Sequence, residues 1–316
     1  MTIDGEWLVA DVGATNTRVA AATPSGMLLR VERFATADCA GAEALLDRAL
    51  QMLDMKGPTG CCLAIAGPVA GGRGALTNAP LAFDASGLSA YLGAPVQLVN
   101  DFHAQAMALP HLAQLDELGG PNAVDPQGVK AVLGPGSGLG MGALLPCADG
   151  WRVLPSEGGH ADLAPASPLE VELLQLLQVQ HRHVCWETVL SGPGLVALYR
   201  AMCALWGAEP ETLTPEDVSA RGLDAGDPVC HQTLETFFSL LGTAAGNLAL
   251  IYCATGGVYV GGGIVPQLRE FARHSPLRRR FDERGALASY AETIPLYLIG
   301  DAEPGLLGAL ACLRQR

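Results

Sequence analysis

The stretch Trp7-Leu-Val-Ala-Asp11-Val-Gly-Ala-Thr15-Asn-Thr-Arg18-Val-Ala-Ala-Ala22 decides the fold. Its two ends, Trp7 to Ala10 and Val19 to Ala22, are apolar runs of strand length, and the Gly/Asn/Thr-rich segment between them reads as the turn of a β-hairpin. Leu46, Ala49, Leu50 and Leu53 then recur at helical spacing. Cys61 to Ala66 is a short apolar run ending at Gly67-Pro68, as a buried strand would. A helix around Leu88 to Leu92 and a strand from Val96 to Val99 follow, closing on the polar pair Asn100-Asp101.

The same opening recurs further on. Ala131 to Leu133 is apolar, Gly134-Pro-Gly-Ser-Gly-Leu-Gly140 is a turn, and Met141 to Leu145 is apolar again. Two glycine-rich hairpins imply two related α/β halves, and 316 residues are enough to bury two cores. Helical patterns follow at Leu169 to Leu177 and Thr214 to Val218, the second with Thr214, Pro215 and Asp217 as cap, first-turn proline and capping-box acid. A long apolar helix from about Leu234 to Cys253 leads to the strand Val258 to Val260 and the turn Gly261-Gly-Gly263, and Pro304 to Leu313 reads as a closing helix. The domain expectation is a small lobe of residues 1–110 plus 300–316 and a large lobe of residues 111–299. The boundary is set by Pro110 and the polar stretch Gln114 to Gly128.

Composition removes several classes of function. Thirty-two acidic against 19 basic residues give a net charge of −13, which repels nucleic acid and anionic membranes. The one basic cluster, Arg278 to Arg280, reads as a solvated helix face. Nine cysteines without a Cys-x-x-Cys spacing read as reduced core residues of a cytoplasmic protein. The opening Met1-Thr-Ile-Asp-Gly-Glu-Trp7 is acidic where a signal peptide is basic, and no apolar stretch is expected to span a bilayer.

Glycine turns that follow buried strands let backbone N–H groups approach phosphate oxygens, because no Cβ intervenes. A bare tight hairpin accounts for one such turn less awkwardly than for three. The kind of phosphate site is narrowed by what the turns lack. The two lysines, Lys56 and Lys130, lie outside them, so there is no P-loop. The Gly134 turn leads into a strand rather than a helix, so it is not a dinucleotide fingerprint. The remaining reading is a nucleotide held between two hairpins, one bringing Asp11 and Thr15 and the other Ser137 and Gly138. Mg²⁺ would supply the positive charge, with Asp11 as its anchor, directly or through water. Asp101 is the candidate base for an attacking hydroxyl, although Asn-Asp is also an ordinary turn or helix cap. Ser156-Glu-Gly-Gly-His160 brings together a carboxylate and an imidazole, a set that suits a polyol better than zinc.

These residues resemble the bacterial glucokinase family, within the sugar kinase, actin and heat-shock chaperone ATPase superfamily. The resemblance runs through Ala10 to Arg18, Leu76-Thr-Asn-Ala-Pro80, Val99-Asn-Asp-Phe102, Gly136-Ser-Gly-Leu-Gly140, Leu154 to His160, Val189-Leu-Ser-Gly-Pro-Gly194 and Gly261-Gly-Gly-Ile-Val-Pro266, and so covers essentially the whole chain. It implies a two-lobed actin-like ATPase (ribonuclease H-like) fold with duplicated mixed-sheet halves and a cleft between them. It also implies phosphorylation of glucose by ATP with Mg²⁺, and a homodimer. Asn100, Asp101, Glu157, His160 and Glu187 are implied to contact glucose, with Asp101 taking the proton of the 6-hydroxyl. Ala10, Asp11, Val12, Gly13, Ala14 and Thr15, with Ser137 and Gly138, are implied to wrap the ATP phosphates, and Gly261 and Gly262 to lie near adenosine. The chain departs from the family's usual glycine at Ala10 and Ala14, and carries Pro135 and Ser137 where Ala or Gly and Thr are commoner. It has no cysteine-rich zinc loop after the Glu-Gly-Gly-His segment, which sets it apart from zinc-dependent sugar kinases and repressors. A kinase for another hexose and a non-catalytic sugar sensor are the alternatives.

Overall fold

The computed structural model describes residues 6–120, 124–224 and 226–315. The opening segment 1–5, residues 121–123 of the expected linker and the expected domain limits at 1 and 316 lie outside them. The strands are β1 (Trp7–Val12), β2 (Asn16–Ala22), β3 (Leu28–Ala35), β4 (Gly60–Ile65), β5 (Val69–Ala70), β6 (Arg73–Ala75), β7 (Ala82–Asp84), β8 (Val96–Asn100), β9 (Leu115–Glu117), β10 (Lys130–Pro135), β11 (Leu139–Cys147), β12 (Gly150–Ser156), β13 (Val258–Val260) and β14 (Leu296–Ile299). The helices are α1 (Ala42–Leu53), α2 (Ala85–Leu92), α3 (Asp101–Ala108), α4 (Pro168–Gln180), α5 (Gly192–Trp206), α6 (Pro215–Leu223), α7 (Pro228–Tyr252), α8 (Arg269–His274), α9 (Leu277–Asp282), α10 (Ala288–Glu292) and α11 (Pro304–Arg314). Two compact units divide the chain. Unit 1 comprises residues 1–113, 147–153 and 301–316, and unit 2 comprises residues 114–146 and 154–300.

Unit 1 carries a mixed sheet in the order β3-β2-β1-β4-β8, with β1, β4 and β8 parallel and β2 and β3 antiparallel to their neighbours. The two faces follow from strand alternation. Leu8, Ala10 and Val12 of β1 and Cys61, Leu63 and Ile65 of β4 pack with Leu45, Leu46, Ala49 and Leu53 of α1. The intervening residues Val9, Cys62 and Ala64 are also fully buried, on the opposite face. There α11 and α3 lie in backbone contact: a Cβ on Gly308 would sit 1.7 Å from the Ala104 carbonyl oxygen.

Unit 2 repeats the plan. The six-stranded sheet, whose residues belong to unit 2 apart from Cys147 and Gly150 to Val153, runs β12-β11-β10-β13-β14-β9, in which β10 and β11 form the second glycine-rich hairpin and β10, β13 and β14 are parallel. The antiparallel hairpin followed by parallel strands occurs in both sheets, so the duplication expected from the sequence is present. The outer hairpin-side strands, β3 and β12, were not expected. β3 is mostly exposed apart from the buried Phe34, β12 mixes exposed and half-buried residues, and as sheet edges they carry little of the apolar signal by which buried strands are recognised.

Two other expectations need correction. The 25-residue α7 is long and apolar enough to cross a membrane by length and composition, contrary to the sequence reading, yet most of it is buried in the unit 2 core. The Arg278–Arg280 cluster is not a uniformly solvated face. Arg280 is 7% exposed and pairs with the buried Glu170 at 3.1 Å, while also donating to the Thr243 hydroxyl at 2.8 Å. It lies deep because α9 approaches α7 closely, a Cβ on Gly242 falling 2.3 Å from the Leu277 carbonyl oxygen.

Gly308→Ala tests the α11–α3 contact. The added methyl has no space, so unit 1 is expected to lose at least about 2 kcal/mol despite alanine's better helix propensity. Urea unfolding followed by tryptophan fluorescence reads this out, and unchanged stability would contradict the contact.

Candidate active site

In unit 1 the hairpin turn is closed by the Gly13 N–H donating to the Asn16 carbonyl at 3.0 Å. Thr36 holds it from the side, its hydroxyl donating to the Gly13 carbonyl at 2.7 Å and its N–H to that of Thr15 at 2.9 Å. Ala14 is half-buried and Thr15 exposed at the tip, while Ala10 and Val12 are buried in β1. Ala10 and Val12 therefore face the core beneath the turn, whereas Asp11 points to the α11 face.

The hairpin register sets Asp11 directly opposite Arg18. The Arg18 guanidinium donates to Asp11 Oδ2 at 3.1 Å and comes within 3.3 Å of Glu303 Oε2, in ion-pair reach but without hydrogen-bond alignment. Glu303 in turn accepts from Arg33. A Cβ on Gly305, in the first turn of α11, would lie 2.6 Å from Asp11 Oδ2. Arg18, Glu303 and Gly305 were given no role from sequence. Arg18 was within reach of that reading, because a two-residue turn at Ala14–Thr15 places residue 18 across from residue 11.

Asp101 is the first residue of α3, and Asn100 is its cap. The Asn100 side-chain carbonyl accepts from the Phe102 N–H at 2.9 Å and the His103 N–H at 3.2 Å. Its amide donates to Asp101 Oδ1 at 2.9 Å and to the Gly67 carbonyl at 3.1 Å. Asn100 thus acts as the helix cap envisaged for the Asn-Asp pair while orienting the carboxylate beside it. Burial raises the Asp101 carboxyl to about 7, the negative charge of Asp11 adds to the rise, and hydrogen bonds from Phe102, its own backbone and Asn100 oppose it. Asp11 is also raised, chiefly by burial, with Arg18 opposing. Asp11 and Asp101 therefore form an interacting carboxylate pair at the carboxyl ends of parallel strands, where open α/β sheets bind ligands.

In unit 2 the start of β11 gathers the other candidates. The Leu139 N–H donates to Glu187 Oε2 at 2.7 Å, and a Cβ on Gly138 would fall 2.5 Å from that same oxygen. A Cβ on Gly159 would meet the Leu139 carbonyl oxygen at 2.1 Å, so only glycine lets the Glu157–His160 segment lie against the hairpin. His160 Nδ1 lies 4.0 Å from Glu187 Oε1, with the two side chains 60% and 34% exposed. Glu157 is exposed and its carbonyl accepts from the His160 N–H at 3.0 Å. Glu187 is fixed from behind by the Ser191 hydroxyl, which donates to its carbonyl at 2.9 Å while capping α5.

The Ser137–Gly138 turn is closed by the Gly136 N–H donating to the Gly138 carbonyl at 2.8 Å, with Ser137 exposed. Gly261 and Gly262 pack beside it. The Gly261 N–H donates to the Leu133 carbonyl at 2.9 Å, and Gly262 has φ +81° with a hypothetical Cβ 2.3 Å from the Pro135 carbonyl oxygen. The two glycine turns of unit 2 are thus one backbone surface.

The sequence model of the family described as Glucokinase matches residues 8–316. The chain belongs to the glucokinase family. Among curated family members it is 43% identical to the glucokinase of Chromobacterium violaceum over 314 residues, 97% of this chain and 88% of that one. It is 40% identical to that of Saccharophagus degradans over 316 residues, 98% of each chain. The crystal structure of a glucokinase from an Antarctic psychrotroph superposes with a TM-score of 0.87 at 35% identity, covering 98% of this chain and 99% of that one. The glucokinase fold is therefore the fold of this chain.

Asp11→Asn should lower the Asp101 carboxyl from about 7 part of the way toward its ordinary value, since the like charge goes while burial stays. Carboxyl-carbon NMR of labelled aspartate measures this. An unmoved Asp101 titration would mean that the two carboxylates do not interact.

Proposed function

We propose that the chain transfers the γ-phosphoryl group of ATP to the 6-hydroxyl of D-glucose, giving glucose 6-phosphate, with Asp101 as general base. The observation that carries this reading is the placement of Asp101, the first residue of α3 after the parallel strand β8, held by the Asn100 amide at 2.9 Å; burial and then Asp11 raise its carboxyl to about 7. A carboxylate so tuned is ionised in a useful fraction at neutral pH and basic enough to take a hydroxyl proton, where an ordinary aspartate near 4 is a poor base. Asn100 holds Asp101 through the 2.9 Å hydrogen bond, so the base is oriented before substrate arrives. Glu157, His160 and Glu187 bind glucose hydroxyls in this reading, the carboxylates accepting and the imidazole accepting or donating.

The turns from Ala10 to Thr15 and at Ser137–Gly138 receive the phosphates through backbone N–H groups, and Gly261 and Gly262 lie against adenosine. The close packing of Gly138 on Glu187 and of Gly262 on the Pro135 carbonyl fixes the course of both turns. Asp11 would hold a hydrated Mg²⁺. Its side chain is 19% exposed, and its charge is only partly offset by Arg18, with a second carboxylate close by. Among the described residues no three His, Cys, Asp or Glu side chains converge as a metal cage. When bound, the ion would offset charge on the phosphoryl oxygens. A cytoplasmic homodimer is the assembly the family resemblance implies.

Asp101→Asn should leave glucose binding largely intact and lower turnover by roughly a hundred-fold or more, as loss of a general base does. Sugar-dependent ADP release from Mg·ATP measures it, with glucose, mannose, fructose, N-acetylglucosamine and no sugar in parallel. Wild-type turnover in the variant would remove Asp101 from its role. Release without sugar would make the chain an ATPase, and silence alongside a glucose-raised Tm would make it a sensor. The sign of the pH dependence follows from the raised carboxyl. Below about 7 Asp101 is protonated and cannot accept, so kcat/KM should fall about tenfold per unit toward acid and level off above about 7. A profile flat down to pH 5 would contradict the assignment.

A further inference from the structure

The face of the unit 1 sheet covered by α11 carries a group of residues with no part in the reaction above. Cys62 lies on β4 on the same side as the buried Val9 and Ala64, and in the ladder it stands beside Gln97 of β8. Cys312, in the last turn of α11, is hydrogen-bonded to the Cys62 thiol and to the His103 imidazole of α3. A cavity of about 350 Å³ opens on this group, lined by Gln97, His103, Met107, Cys147, Cys312 and Gln315. Its rim residues Asp149 and Arg152 are exposed, so a small solute reaches the cavity from water. Neither thiol is in a disulfide.

We infer that Cys62 and Cys312 form a peroxide-oxidisable dithiol, entered through this cavity, with Cys312 as the attacking sulfur and Cys62 as the resolving one. Cys312 lines the cavity and Cys62 does not, so Cys312 is the sulfur an entering oxidant meets; the hydrogen bond from Cys62, then that from His103, lowers its thiol against the burial that raises it. Cys62 is fully buried in the sheet. The oxidant is hydrogen peroxide or a small organic hydroperoxide. The Cys312 thiolate attacks one peroxide oxygen, the O–O bond breaks, and the leaving hydroxide or alkoxide takes up the proton that Cys312 had lost. Cys312 is left as a sulfenic acid. The Cys62 sulfur then attacks Cys312, the S–O bond breaks, and hydroxide leaves as water with the Cys62 proton. Two thiols are oxidised to one disulfide, and one peroxide is reduced to two waters, or to water and an alcohol.

Closing the bond draws the two sulfurs from hydrogen-bonding separation to about 2 Å. The helix that must move has no slack. At Gly308, one turn before Cys312, α11 is in backbone contact with α3, and at Gly305 it touches the Asp11 carboxylate. The displacement therefore passes to Asp11 and to the first turn of α3, where Asp101 sits. This effect on turnover rests on the proposed function, whereas the thiol pair itself does not.

The test starts from a Cys253→Ser protein, which lacks the exposed thiol, treated with hydrogen peroxide and digested without reduction. Mass spectrometry should find the peptides of Cys62 and Cys312 joined. Turnover with glucose should drop roughly ten- to a hundred-fold and return with dithiothreitol. Adding Cys312→Ser should abolish both effects, and adding Cys62→Ala should leave Cys312 as a sulfenic acid trapped by dimedone. Peroxide that oxidises other cysteines while these two stay as thiols overturns the site, and this reading on the parent protein does not depend on either variant folding. A cross-link with unchanged turnover overturns the transmission through α11. A protein inactive on every sugar before oxidation would instead count against the proposed function, and the peptide map would still decide the thiol pair.

Discussion

Unit 1 depends on the electrostatic interaction of two largely desolvated carboxylates, Asp11 and Asp101. Burial makes both Asp11 and Asp101 costly to ionise; the charge of Asp11 adds to the cost at Asp101, and that of Glu303 adds to the cost at Asp11. The surroundings differ for the two. Asp11 has the Arg18 guanidinium across the hairpin, while Asp101 has only dipolar partners, the Asn100 amide and backbone N–H groups. A full positive charge stabilises an anion more than amide dipoles do, so Arg18 offsets part of the burial that raises Asp11, while Asp101, without such a partner, is raised to about 7. Arg18 is shared with Glu303, whose other neighbour is Arg33, so the charge that compensates Asp11 belongs to a surface network open to salt and solvent.

Unit 2 solves a different problem, that of presenting polar side chains and bare backbone from one hairpin. Leu139 does much of this with its main chain alone, its N–H fixing Glu187 and its carbonyl resting against Gly159. Gly159 and Gly262 are set by overlap with backbone carbonyl oxygens, Gly262 also by its φ of +81°, whereas a carbon at 138 would force the Glu187 carboxylate to shift. The residues that present chemistry are therefore held by their neighbours' lack of side chains.

The parts of this arrangement that were legible in the sequence are those written locally. The hairpins, the buried strands and the long apolar helix follow from runs of adjacent residues, and Thr214 and Asp217 make the capping box that their spacing implies. Edge strands β3 and β12 were not legible, because one-sided burial leaves a mixed pattern. The Asp11–Asp101 pair could be named as two candidates but not as a coupled pair. Their proximity depends on β4 lying between β1 and β8, which the order of residues along the chain does not state. Arg280 misled for the same reason, since its partner Glu170 is remote in sequence and the charge pattern around it is that of an exposed helix. The family resemblance supplied roles for Glu157, His160 and Glu187 that spacing alone left open.

The contact between Gly308 of α11 and Ala104 of α3 also bears on how the chain is made. Residues 1–113 contain the whole five-stranded sheet of unit 1, yet one face of that sheet is covered by a helix from residues 304–314. During synthesis the ribosome therefore delivers Val9, Cys62 and Ala64 long before their cover, and all of unit 2 emerges in between. Unit 2 can close its core as a contiguous piece, apart from the small excursion at 147–153, while the nascent first sheet keeps an apolar face exposed. Unit 1 therefore completes its core only when α11 docks beside α3, after the residues of unit 2 have been made.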